Sequence, residues 1–151
     1  MGMIFPELIA VDLAAVDADD AIHKVGSMFV ERGFVKETYI EAVAEREKEY
    51  PTGLKLQDIG VAMPHTDPGH VIKAGMCVVK LAKPVVFAHM GMPETKVAAE
   101  MIFMMAIVDP DAQIETLQKV LKVFQSAEAA AEFKAAPNAQ ALYQVALKHI
   151  Q

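Results

Sequence analysis

One stretch of the chain places reactive side chains in a setting where they could act: Gly60-Val61-Ala62-Met63-Pro64-His65-Thr66-Asp67-Pro68-Gly69-His70. Its first half is a short apolar run that reads as a strand, and its second half is punctuated by Pro and Gly. A strand that delivers a side chain into a stiff loop fixes that side chain while leaving it within reach. Pro64 restricts the backbone just before His65, and Pro68 does so just after it. His65 is therefore expected to be an exposed, held imidazole, and three chemistries use one. A neutral imidazole can accept a phosphoryl group on one ring nitrogen, provided an acceptor holds the proton of the other. The phosphoryl oxygens then need donors. Arg46, the only arginine besides Arg32, suits them through its charged fork, and Thr66 and loop N–H groups could add to it. As a metal ligand, His65 could join Asp67, His70 or His89, although H-x-D-x-x-H is no established zinc spacing. As a hydrolase base it would need a nucleophile, yet no G-x-S-x-G occurs and Cys77 falls inside an expected buried strand. Beside these stands the plain alternative that His65 is a turn residue without chemistry.

The elements that must position this loop follow from periodicity. Ile22, Val25 and Phe29 fall at i, i+3 and i+7 behind Asp19 and Asp20, giving a helix from Asp17 that ends at Gly33. A second helix is expected from about Glu37 to Lys48. Tyr39, Ile40 and Val43 take its buried side, and Glu41, Glu45, Glu47, Lys48 and Glu49 lie in water, with Pro51 and Gly53 ending it. Gly60 to Met63, Met76 to Leu81 and Val85 to Phe87 read as strands. Val97 to Val108 suits a buried strand or a buried helix, and a central strand is favoured over Ile102 to Val108. After Pro110, the residues Ile114, Leu117, Leu121 and Phe124 mark a helix. Ser126 caps a short Ala-rich one, and Leu142, Val145, Ala146 and Ile150 mark a terminal one after Pro137 and Asn138. Two helices, several strands, then helices give an α/β or α+β layer structure with a mostly buried mixed sheet.

Composition narrows the functions open to such a domain. At 151 residues the chain has the length of one domain, 1–151, without a boundary or repeat. Hydrophobic residues make up 54% and charged ones 23%, enough apolar material for a core and too much for disorder. Fourteen Lys and Arg against twenty Asp and Glu, a net charge of -6, argue against nucleic acid or an anionic membrane as partner. The longest apolar run, Met101 to Val108, is far short of the roughly 20 residues that span a bilayer, so no membrane insertion is expected. The start, Met1-Gly2-Met3-Ile4-Phe5-Pro6, lacks the basic region of a signal peptide. The single cysteine allows no internal disulfide and fits a reducing, cytoplasmic setting. His23 and His149 fall in expected helices as surface groups. The ten methionines are expected mainly in the core, since Met101, Met104 and Met105 sit in the most apolar run.

Gly60-Val61-Ala62-Met63-Pro64-His65 resembles the G-[IV]-A-[IMF]-P-H signature of the type-2 IIA domain, fructose/mannitol type, of the bacterial phosphoenolpyruvate-dependent sugar phosphotransferase system. Arg46-Glu47 resembles the R-E pair that ends the family's second helix. Pro84-Val85-Val86-Phe87 and the apolar run before Asp109 extend the likeness over essentially the whole chain. Tyr50-Pro51-Thr52-Gly53-Leu54, Pro64-His65-Thr66-Asp67 and Phe87-Ala88-His89-Met90-Gly91 are most similar to the galactitol-type branch. The resemblance implies a single compact domain with a mixed sheet flanked by helices, and a phosphohistidine relay. In that relay His65 takes a phosphoryl group from the phosphocarrier protein HPr and passes it to a cysteine of a IIB component, which phosphorylates a sugar or polyol. Cys77 plays no part, because the accepting thiol belongs to IIB. Arg46 would stabilise the phosphoryl group, and no metal or organic cofactor is required. Several members carry a second active-site histidine where this chain has Gln113, whose amide can donate a hydrogen bond but can carry neither proton nor charge. Docking is expected on an apolar collar from Val61, Met63 and residues after Gly91, with Thr66 beside it. The alternative function is a regulatory module whose His65 phosphorylation state controls a protein partner.

Overall fold

The computed structural model describes residues 2–56 and 59–150, so Met1 of the leader reading lies outside the described residues. In chain order the elements are β1 (Ile4–Leu13), α1 (Ala18–Glu31), α2 (Tyr39–Glu49), β2 (Gly53–Lys55) and β3 (Gly60–Ala62). A 3-10 turn at Pro68–His70 follows, then β4 (Gly75–His89), β5 (Met92–Ala106), α3 (Pro110–Val123), α4 (Ala127–Ala135) and α5 (Ala139–His149). The strands form one mixed five-stranded sheet in the order β1-β4-β2-β3-β5, with β4 also pairing β5, so that β4, β2, β3 and β5 make a closed circuit of pairings. β1 runs parallel to β4, β3 parallel to β5, and β4 and β5 form a long antiparallel hairpin.

The ambiguous apolar run is a strand because both faces of the sheet are covered. Along β5, Ile102, Met104 and Ala106 pack with α1 and α2, while Met101, Phe103 and Met105 pack with the C-terminal helices. The same alternation divides Cys77 and Val79 from Met76 and Val78 in β4. A strand buried on both sides has no polar phase to betray its period. β5 therefore starts at Met92 and ends at Ala106, well before and slightly short of the span Ile102 to Val108 read from sequence. The two runs Met76 to Leu81 and Val85 to Phe87 are one strand, interrupted by an irregularity between Lys80 and Val85.

Apart from α2, whose first residue follows Thr38 without a side-chain cap, the helices start where short polar side chains satisfy free N–H groups. Asp17, Asp109, Ser126 and Asn138 accept from Asp20, Asp111, Ala129 and Ala141, at 2.8, 3.0, 3.2 and 2.8 Å. Ile114, taken from spacing as core-facing, is 58% exposed, whereas Val120 is buried in its place. Leu117, Leu121 and Phe124 pack against the core as spacing suggested, so the buried stripe of α3 runs through them and Val120 and leaves out only Ile114. Phe103, Phe124 and Phe133 make a cluster with ring centroids 5.1 to 5.9 Å apart, which pins α3 and α4 to the sheet. No helix among the described residues is long and apolar enough to cross a membrane.

β3 has only three residues, yet it must hold the loop that follows. Gly60 makes this possible through close approach. A Cβ at that position would lie 2.2 Å from the carbonyl oxygen of Ala98 and 3.0 Å from its carbon. Neither backbone atom can yield without moving β5. Gly60→Ala is expected to lower stability by about 1–3 kcal/mol, the range of overpacking changes. Urea denaturation checks this, and an unchanged midpoint would show that β3 tolerates displacement.

Candidate functional site

His65 leaves β3 through Met63 and Pro64, and each of these three residues is tied to a different element. The Met63 N–H donates to Thr52 Oγ1 at 3.1 Å, just before β2. The Pro64 carbonyl accepts from the Met105 N–H on β5 at 3.1 Å. The Tyr39 hydroxyl on α2 donates to the Met105 carbonyl at 2.6 Å, so the same β5 residue links α2 to the loop. The His65 ring then folds back on its own strand, with Nδ1 2.8 Å from the Met63 carbonyl. A carbonyl can only accept, so Nδ1 carries the proton and neutral His65 keeps its lone pair on Nε2.

His65 is 8% exposed, a more enclosed imidazole than the exposed one expected from sequence. Burial holds its pKa below the ordinary value of 6.5, with the Arg46 charge adding to the effect, while the Met63 carbonyl and Asp67 act the other way. The neutral ring is therefore the form the fold prefers, which is also the nucleophilic form. The sign for stability follows: this contribution is complete above 6.5 and is lost as pH falls towards the depressed value. By NMR titration, the His65 midpoint is expected below 6.5, higher in an Arg46→Gln variant and lower in Asp67→Asn. A His65 midpoint at or above 6.5 in the unaltered protein would contradict the site described here.

Arg46 stands in the last turns of α2, with Nη1 3.9 Å from Asp67 Oδ1 and the guanidinium 5.3 Å from the Tyr50 ring centroid. Thr66 is buried, and its carbonyl accepts from Gln113 Nε2 at 3.2 Å. Gln113 thus reaches the loop from the first turn of α3. The structure brings His65, Arg46, Thr66, Asp67 and Gln113 together. It does not place Val61 and Met63 on a docking collar. Both are fully buried in the core behind the loop, because β3 is covered on both faces; a charge at Met63 would disrupt packing before it disturbed docking. His70 is bound through Nδ1 to the Thr38 hydroxyl, and His89 through Nδ1 to the Met90 carbonyl. No group of three or more His, Cys, Asp or Glu among the described residues could hold a metal ion. Cys77 is buried, and burial raises its thiol pKa well above 9.0.

Sequence reasoning missed Thr52 and misplaced Glu47. Thr52 is 3% exposed. Its N–H and its hydroxyl both donate to Glu47, each at 2.8 Å. Glu47 lies partly buried and is not in water, and desolvation raises its pKa to about 7 against the two bonds from Thr52. The signals available were the four-residue steps Tyr39, Val43 and Glu47, which put Glu47 on the buried side of α2, and the Pro51-Thr52-Gly53 turn, where a threonine follows the end of a Glu-rich helix.

Residues 3–149 match the family described as "Phosphoenolpyruvate-dependent sugar phosphotransferase system, EIIA 2". The chain belongs to that family. This EIIA domain is 24% identical to the galactitol-specific EIIA component of Escherichia coli K12 over 106 residues, 70% of each chain. Its fold is that of the mannitol IIA enzyme of Escherichia coli, solved in complex with phosphorylated IIB, at 18% identity and a TM-score of 0.76 over 94% of this chain and 95% of that one. The nitrogen regulatory protein IIA-Ntr of Neisseria meningitidis has the same fold, with 19% identity and a TM-score of 0.73 over 95% of each chain. The EIIA domain is a phosphocarrier of the phosphotransferase system.

Proposed function

We propose that His65 is the phosphoryl acceptor, taking the group from phosphorylated HPr on Nε2 and handing it to a cysteine thiolate of a IIB component that serves a galactitol-type permease. The observation that carries this is the Nδ1–H bond to the Met63 carbonyl, which leaves Nε2 as the nucleophilic nitrogen of a buried, neutral ring. In the first step the Nε2 lone pair forms a bond to phosphorus as the donor's N–P bond breaks. The electron pair returns to the donor imidazole, and the positive charge that develops on the His65 ring is met by the Met63 carbonyl. In the second step a thiolate attacks the same phosphorus and the His65 ring recovers its lone pair. Little covalent chemistry is asked of the protein beyond positioning and charge stabilisation. Arg46 meets the phosphoryl oxygens, and Thr66 and Gln113 hold the far side of the loop.

Support for a IIB partner comes from the mannitol relative, solved with phosphorylated IIB, and support for the galactitol branch from the 24% identical relative. A second reading, a regulatory module answering to a protein partner, draws on the fold it shares with IIA-Ntr. The decisive experiment incubates the protein with phosphoenolpyruvate, enzyme I and HPr, then adds the IIB component from the same source. Transfer onto the IIB cysteine supports the transport reading. A stable phosphoprotein that passes nothing to IIB supports the regulatory one, and no phosphorylation at all removes both.

A further inference from the structure

Three buried polar residues stand out among the described residues, Thr52, His65 and Thr66, and two of them belong to one unbroken chain of hydrogen bonds. Glu47 Oε2 accepts the Thr52 N–H and Oε1 accepts the Thr52 hydroxyl, both at 2.8 Å. The Thr52 oxygen accepts the Met63 N–H at 3.1 Å, and the Met63 carbonyl accepts the His65 Nδ1–H at 2.8 Å. Closing the turn between α2 and β2 would need only the first two bonds. The last two lead from that turn to the reacting ring.

The chain has a direction that the charge of Glu47 sets. An ionised carboxylate can only accept, so the single hydroxyl proton of Thr52 points to Glu47 and an oxygen lone pair faces the Met63 N–H. That bond pins the Met63 backbone. The carbonyl of the same residue accepts the His65 Nδ1–H, and Pro64 stiffens the backbone between Met63 and His65. If Glu47 is protonated, its own O–H competes for the Thr52 oxygen and the hydroxyl proton loses its acceptor. Met63 is then held less firmly, and so is the ring that leans on it.

We propose that Glu47 and Thr52 are positioning residues for phosphoryl transfer at His65, fixing the tautomer and aim of the imidazole through the Met63 backbone while Glu47 is ionised. The inference rests on the reading of His65 as acceptor. Glu47 sits in a cleft of about 190 Å³ between α1, α2 and β4, where the other charged groups are Asp19 on α1 and Lys48 on α2; β4 contributes Phe87 and Ala88. Desolvation places the Glu47 titration near neutrality, at about 7, above the range expected for His65 itself. Two separate limbs in the pH dependence of transfer follow from this, one from the ring and one from the carboxyl.

The test measures the rate of phosphoryl transfer from phosphorylated HPr across pH, together with the His65 tautomer by nitrogen NMR, in Glu47→Gln, Thr52→Val and Thr52→Ser. Misplacing a reacting group can cost on the order of 10²-fold. Thr52→Val is therefore expected to lose about tenfold to a hundredfold in rate and to show a mixture of tautomers. Thr52→Ser is expected to restore both. Glu47→Gln should lose the limb near neutrality while keeping the lower one. The proposal is overturned if folded Thr52→Val transfers at the wild-type rate with Nδ1–H intact, or if Glu47→Gln keeps the upper limb. Should Thr52→Val fail to fold, the Glu47→Gln profile and the Thr52→Ser tautomer decide. Should the unaltered protein accept no phosphoryl group, the reading of His65 falls, and the tautomer measurement still judges the positioning chain by itself.

Discussion

Incubated with phosphoenolpyruvate, enzyme I and HPr, a His65→Ala protein is expected to gain no acid-labile phosphoryl group. The expectation is strong because the other candidate nucleophiles are poorly placed. Cys77 is buried with a raised pKa, so it supplies almost no thiolate. The His23 ring is engaged at Nδ1 by the Asp19 carbonyl and at Nε2 by Glu41, and His149 is bound to Glu132. His70 meets Thr38. His89 is the instructive control, since its Nδ1 also faces a carbonyl, that of Met90, at 2.7 Å. It therefore has the same tautomer as His65, but it stands at the end of β4 and not in the loop whose Asp67 pairs with Arg46. A His89→Ala protein should be phosphorylated at the wild-type rate. His65→Gln serves as the second variant, filling similar volume without a nucleophilic nitrogen. Alanine at 65 leaves the Met63 carbonyl unpaired at a cost of about 1–3 kcal/mol, so thermal melts of both variants must accompany the assay. A folded His65→Ala protein that still took up the group, or a His89→Ala protein that did not, would sink the assignment.

Which parts of this arrangement could be read from the residues depends on whether a polar phase or a rigid residue marked them. The Pro64-His65 loop was legible because prolines fix backbone whatever surrounds them, and the helix starts were legible because Asp17, Asp109, Ser126 and Asn138 cap locally. β1 went unread. Its Pro6 interrupts the apolar pattern, and its pairing partner, β4, lies some seventy residues away in sequence, with Ile4 opposite Met76. β2 is three residues long, too short for any period. Glu47 illustrates a different limit. On a helical wheel it follows Tyr39 and Val43 at four-residue steps on the buried side of α2, and only its charge argued for water. A threonine five residues on supplies the partner that lets it turn inward. Spacing reports the face, but the residue type alone cannot report a partner supplied by the turn after the helix. Val61 and Met63 show the converse: residues flanking a reactive histidine looked available, but a sheet covered on both sides buries them.

Arg46 carries the second large effect. Arg46→Ala is expected to slow phosphoryl transfer by about 10²–10³-fold, the loss found when one charged or hydrogen-bonding group aimed at a transferring centre is removed. The resting geometry explains why this arginine is free to act. Its Nη1 is 3.9 Å from Asp67, beyond a hydrogen bond, and its side chain is 37% exposed while that of Asp67 is 80% exposed. A pair so loose and so solvated contributes little to stability, and the guanidinium can leave Asp67 for a phosphoryl group with little cost. The Tyr50 ring beneath it limits the directions it can take. Arg46→Lys keeps the charge but loses the planar fork, so its rate should fall between wild type and Arg46→Ala. Asp67 then acquires a role of opposite sign. Its carboxylate competes for Arg46 and repels a phosphoryl group on His65, so it raises the free energy of the phosphorylated state. Asp67→Asn should therefore shift the equilibrium with HPr towards the phosphorylated chain, by a margin that shrinks as salt is added. Rapid-quench measurement of both variants against phosphorylated HPr checks the pair of expectations. Wild-type transfer in Arg46→Ala would mean that backbone donors alone hold the group, and an equilibrium unmoved in Asp67→Asn would mean that Arg46 never leaves its resting place.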